Sequence, residues 1–150
     1  MTARNVLLAL HIALAVAVIG PLVLFDLVAP ALVRKGREAL PVLRWIHGSS
    51  RVLGPAVSLV FLLGIVLVLR DGKDATQFGD TWVWLAMLLL ITAAVNGAVF
   101  IARTLETIIA KTDTGQAVAA ETSRLSLLGA LNVVIMLTIT YLMVAKPGWV

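Results

Sequence analysis

Very few side chains in this sequence could do chemistry. There are 2 histidines and no cysteine, so disulfides, thiolate metal ligands, iron–sulfur clusters and thiol nucleophiles are excluded. His11 is the sharpest candidate, because an imidazole inside an apolar run can ligate a b-haem iron or a metal ion, or handle protons. Its bland counterpart is a neutral histidine bonded across helices, with Tyr141 and Thr138 at comparable depth. His47 stands beside Trp45 in an arginine-rich stretch and reads as an interfacial residue with its polar tip in water. Asp26 is placed to pair with Arg51 and Arg103 at one boundary, or to pass protons or cations. Asn96 and Asn132 fall at the same depth and are expected to share an interhelical amide hydrogen bond. There is no nucleophile–base pair, no phosphate-binding glycine loop, no His/Glu metal motif and no carboxylate pair inside the apolar runs. No catalytic residue is therefore assigned, and the metal, if any, stays open.

The elements that carry these residues are four long apolar stretches, at about 6–33, 52–69, 82–102 and 125–145. A hydrocarbon core about 30 Å thick needs roughly 20 apolar helical residues to cross it; the first stretch exceeds that, the third and fourth meet it, and the second falls just inside the tolerated range. With 61% hydrophobic and 13% charged residues and a mean hydropathy of +1.04, the chain has too little polar surface to coat four such helices in water. The expectation is all-α, a single transmembrane domain built as an up-down-up-down four-helix bundle. At 150 residues it has no room for an appended catalytic module. The net charge of +4 does not point to nucleic acid, since the basic residues cluster at helix ends. The first run is much longer than a signal-peptide core and reads as a retained helix.

Arginine and lysine positions set the orientation. Eight of the 12 basic residues, Arg34, Lys35, Arg37, Arg44, Arg51, Arg103, Lys111 and Arg124, lie on the first and third connections; Arg4, Arg70, Lys73 and Lys146 lie on the opposite side. Both termini are thus expected outside, with the first and third connections in the cytoplasm. On that topology His11 and His47 lie near opposite faces, about 25 Å apart by helical rise, and cannot share one iron.

Local signals fill in the rest. Asn5 is a candidate N-cap, Gly20-Pro21 a candidate kink, and residues 38–50 an amphipathic lead-in along the inner interface. Residues 70–81 read as a short polar turn, Trp82 and Trp84 as an aromatic belt, and residues 103–111 as an amphipathic cytoplasmic extension broken at 112–115. Lys146-Pro147 ends the last helix. Small residues four apart (Ala9, Ala13 and Ala17; Ala93 and Gly97; Gly54 and Ser58) favour close helix approach.

Taken together, the LLALHIALAVAVIGPL segment around His11, the RVLGP opening at Arg51 with Gly64 beyond it, the WVWLAMLLL start at Trp82 and the closing LMVAKP resemble the DUF2269 family of bacterial integral membrane proteins. That family is distantly similar to copper-resistance D-type (CopD-type) membrane proteins and to protoporphyrinogen oxidases of the HemJ type. The resemblance implies a plasma-membrane protein in which His11 is the position that would inherit a b-haem ligand.

The expected function is a non-catalytic membrane bundle, working among membrane lipids as a homo-oligomer or as an accessory subunit beside other membrane subunits. Two rivals are a b-haem redox protein using His11 and a small metal or proton transporter using Asp26, Asn96 and Asn132. The structural polar residues of the first reading are Asp26, Arg51, Arg103, Asn96, Asn132 and Tyr141.

Overall fold

The computed structural model describes residues 3–70 and 80–145. Within them the chain forms five α-helices: α1 (Ala3–Val33), α2 (Leu40–Arg70), α3 (Thr81–Val95), α4 (Ala102–Asp113) and α5 (Ala119–Ala145). A 3₁₀ turn (Gly36–Ala39) leads into α2, and a π-helical segment (Asn96–Ile101) joins α3 to α4 without interrupting the rod. Four continuous rods result, each long and apolar enough to cross a bilayer. The expected turn at 70–81 and the Lys146-Pro147 terminus fall almost wholly outside the described residues.

Lipid, not water, is the solvent this surface fits. Between 6% and 33% of the most apolar window of each rod is buried inside the protein, so most of the leucine, valine and isoleucine points outward. Val16, Val52, Leu127 and Val144 are each at least 69% exposed. In water such a surface would aggregate; against acyl chains it is neutral, and helix association then rests on close packing and interhelical hydrogen bonds.

The helices begin and end somewhat beyond the apolar stretches. Asn5, expected as a cap, lies inside α1, and Pro21 and Pro30 are both carried within an unbroken helix. The lead-in at 38–50 is continuous with α2 instead of lying apart at the interface, so α2 is 31 residues long. The tight connections use glycine where the backbone turns left-handed, at Gly36 (φ +65°) and Gly115 (φ +76°); a side chain would be strained at either.

In the bundle, α1 packs along both α2 and α5, and α3 packs along α5. The ring closes between α2 and α4 but hardly at all between α2 and α3. One end of the bundle is therefore tight and the other splayed. The tight end, at the Gly36 and Gly115 turns, holds a core of Ala29, Val33, Leu43, Ile46, Leu105, Ile108 and Leu125, with Leu43 and Ile108 fully buried. Phe25 meets Trp45 edge-on beside it, centroids 5.3 Å apart. Polar contacts lock the same end. Arg37 donates from Nε to the Thr112 carbonyl at 3.3 Å and from Nη2 to the Asp113 carbonyl at 3.0 Å, satisfying the last acceptors of α4 with a cation where the helix dipole favours one. Arg44 pairs with Asp113 at 2.6 Å, and Lys111 pairs with Glu121.

Candidate functional site

At the splayed end the gap between α2 and α3 forms a cleft of about 260 Å³. Its walls are Leu8, His11 and Ile12 from α1, Val60, Phe61, Gly64 and Val68 from α2, Trp82, Val83, Ala86 and Leu90 from α3, and Met143 near the end of α5. All but a few of these are apolar, as expected of a surface opening sideways toward acyl chains. Arg4 and Trp82 lie among the wall residues and each makes polar interactions of its own.

His11 is the group that stands out. It is 8% exposed, and Gly64 makes room for it: a Cβ there would sit 3.3 Å from the imidazole Cε1. The ring's hydrogen-bond partner is the backbone of Val60, one turn earlier on α2. Nδ1 is buried and has no partner. A neutral imidazole carries one N–H and one lone pair; with the N–H spent on the Val60 carbonyl, the lone pair is left unsatisfied. Burying a polar atom unpaired costs about 1–3 kcal/mol, so the site holds an acceptor that a ligand could use.

The expected partners of His11 on α5 are not its neighbours. Tyr141 is 65% exposed on the outer surface, and Thr138 bonds back to the Val134 carbonyl of its own helix. The rotation of α5 about its axis leaves Tyr141 on the outer surface and Thr138 bonded within its own helix. Tyr141 and Trp84 are instead exposed toward the splayed end and Trp45 toward the tight end, where aromatic belts would lie.

The mid-bundle polar residues also pair differently from the expectation. Asn96 and Asn132 do not bond each other. Asn132 donates from Nδ2 to the Asp26 carboxylate at 2.7 Å, and Asn96 donates to the Leu128 backbone carbonyl at 3.0 Å. Asp26 correspondingly pairs with Asn132 and not with Arg51 or Arg103. The reason lies in Gly129. A Cβ at that position would stand 2.7 Å from the Asp26 carbonyl oxygen, so the two backbones all but touch there. Pro30 removes the N–H that would have satisfied this carbonyl within α1. One turn beyond Gly129, Asn132 necessarily faces the Asp26 side chain. Asp26, Asn132 and Asn96 thus tie α1 to α5, and α5 to the π segment that follows α3. Arg51 is exposed on α2, and His47 is half-buried with its carbonyl accepting from Ser50.

Sequence reasoning missed Gly129, whose signal was a small residue three positions before a polar one, and it missed Met87 and Met143 as cleft residues. Among the described residues no three His, Asp or Glu side chains cluster closely enough to hold a metal ion. The ligating groups of the cleft wall are the His11 nitrogen and the two methionine thioethers. No protein-family model, curated protein or solved structure matches this chain.

Proposed function

We propose that this multi-pass membrane protein works by binding and not by catalysis, taking a small amphipathic molecule from the bilayer into the α2–α3 cleft. The observation that carries this reading is the unpartnered, buried His11 nitrogen in a largely apolar wall. The ligand class follows from the wall: an apolar body that matches Ile12, Val60, Phe61 and Leu90, with one hydrogen-bond donor for the imidazole lone pair. A hydroxyl or phenol on an alkyl chain has that chemistry. The volume of about 260 Å³ lies just below the ~300–1,000 Å³ usual for ligand pockets and is too small to seat a whole transmembrane helix, about 10 Å across. Such a protein would serve as an accessory subunit, or as a homo-oligomer, that presents or senses the bound molecule.

The test compares two probes in mild detergent, a 4-alkylphenol and the alkylbenzene of equal length. The phenol should raise the Tm of the wild-type protein more than the alkylbenzene does, and His11→Leu should erase the difference while keeping the general apolar stabilisation. Equal shifts by both probes in the wild-type protein would remove the basis for the reading.

A second reading is favoured by the donor set itself. His11 with Met87 or Met143 offers an imidazole and a thioether, the pairing that suits b-haem iron or a soft Cu(I) ion. An absorption spectrum and a metal assay of the same purified sample, repeated on His11→Leu, separate it from the first.

A further inference from the structure

A second recess lies at the opposite, tight end of the bundle, and its chemistry is different. It is a groove of about 360 Å³ between the π segment with α4 on one side and the start of α5 on the other, lined by Val99, Phe100, Arg103, Thr107, Glu121 and Arg124 among others. The π segment shapes it: the Ala102 N–H donates to the Gly97 carbonyl, five residues back, which widens the helix where Val99 and Phe100 stand.

The charges in the groove do not cancel. Glu121 is taken by Lys111, and this pair closes one end as a neutral unit. Arg103 and Arg124 are both exposed, and neither guanidinium has a hydrogen bond or ion pair among the described residues, whereas those of Arg37 and Arg44 are engaged. Two unspent guanidiniums therefore face one recess at the level where the apolar rods give way to polar turns. Phe100, 44% exposed, and Val99 lie on the bilayer side of them. A cationic head above an apolar flank is the shape of an amphiphile's complement. Basic pockets between helices at a membrane face are suited to anionic headgroups, and guanidinium forks match phosphate oxygens.

We propose that this groove is a binding site for a phosphate group, held between Arg103 and Arg124, and that its source is an anionic phospholipid whose acyl chain lies along Phe100. The glycerophosphate of such a lipid carries one negative charge with no compensating amine, so the two arginines gain a full ionic partner. A zwitterionic lipid brings its own ammonium and gains much less.

The experiment uses the full chain in mild detergent and follows lipid binding by native mass spectrometry, with Tm as a second readout. The probes are phosphatidylglycerol, phosphatidylcholine of the same chains, and inorganic phosphate. Phosphatidylglycerol should bind in preference to phosphatidylcholine. With each surface arginine contributing a factor of about 5, Arg103→Gln or Arg124→Gln should each weaken that binding roughly 5-fold and the double variant on the order of 30-fold. Arg34→Gln, outside the groove, should leave it unchanged. The single variants keep the test decisive if the double variant does not fold. Stabilisation by inorganic phosphate alone, equal to that by phosphatidylglycerol and lost in the same variants, would keep the phosphate site but overturn a lipid as its source. Equal binding of both lipids, or binding indifferent to both arginines, would overturn the site itself.

Discussion

Gly129→Ala should destabilise the protein although alanine is the better helix former, and the structure gives the size of the effect. The new Cβ would lie 2.7 Å from the Asp26 carbonyl oxygen and 3.4 Å from its carbon. Those are backbone atoms and cannot swing aside. An ordinary C···O contact needs about 3.3 Å, so α1 and α5 must part by about 0.6 Å at this point. Overpacking of that kind costs about 1–3 kcal/mol. The Asp26–Asn132 hydrogen bond, one turn away, is stretched by the same movement and is worth about 0.6 and at most ~1.7 kcal/mol in a membrane bundle. Helix propensity returns about 1 kcal/mol. The net is a loss of about 1–3 kcal/mol. Gly20→Ala is the matched control: nothing lies within 4 Å of its Cβ, so only the propensity gain of up to about 1 kcal/mol remains. The assay is thermal unfolding of both variants in one detergent, followed by circular dichroism. The two should move in opposite directions. If Gly129→Ala were as stable as the wild-type protein, the α1–α5 contact would not be as close as described.

The remaining predictions concern the polar ties and the cleft. Asn132→Leu leaves the Asp26 carboxylate without its donor and should cost about 1–3 kcal/mol; adding Asp26→Leu should recover part of that, and a coupling energy near zero would dissociate the pair. Arg37→Gln should destabilise the tight end by about 1 kcal/mol, because two helix-terminal carbonyls lose a cationic donor. Asp113→Asn, which breaks the half-exposed Arg44 pair, should change stability by less than about 0.5 kcal/mol, and hydrogen exchange at α4 reads the contrast. Gly64→Ala should press on the imidazole at 3.3 Å and reduce the phenol preference of the cleft with little change in Tm; an unaltered preference would separate Gly64 from the site.

What the sequence made legible was depth, and what it hid was rotation. Helical rise places His11, Asn96, Asn132 and Asp26 at definite levels, because 1.5 Å per residue is fixed by the backbone. The face a residue presents is read in soluble helices from an apolar stripe. Here α3 and α5 are apolar nearly all round, so no stripe marks the inward side. Hence Asn132 meets Asp26 and not the expected Asn96, and Tyr141 faces out and not inward. The decisive azimuthal signal was Gly129, whose missing side chain fixes which side of α5 meets α1. The amphipathic extension was easier: α4 alternates Arg103, Glu106 and Lys111 with Leu105 and Ile108, and both apolar residues are buried. The cleft was not legible at all, since it arises from α2 and α3 failing to meet, a property of the whole ring.

Both recesses presuppose four crossings, with the cleft and the arginine groove at opposite membrane faces, and the natural absence of cysteine makes that directly measurable. Single cysteines at Ala3, Lys35, Arg70, Thr114 and Val134, probed in intact cells with a membrane-impermeant maleimide, test it position by position. Ala3 and Arg70 should label from outside, Lys35 and Thr114 only after permeabilisation, and Val134 in neither case. Labelling of Lys35 and Ala3 from the same side, or ready labelling of Val134, would contradict the account.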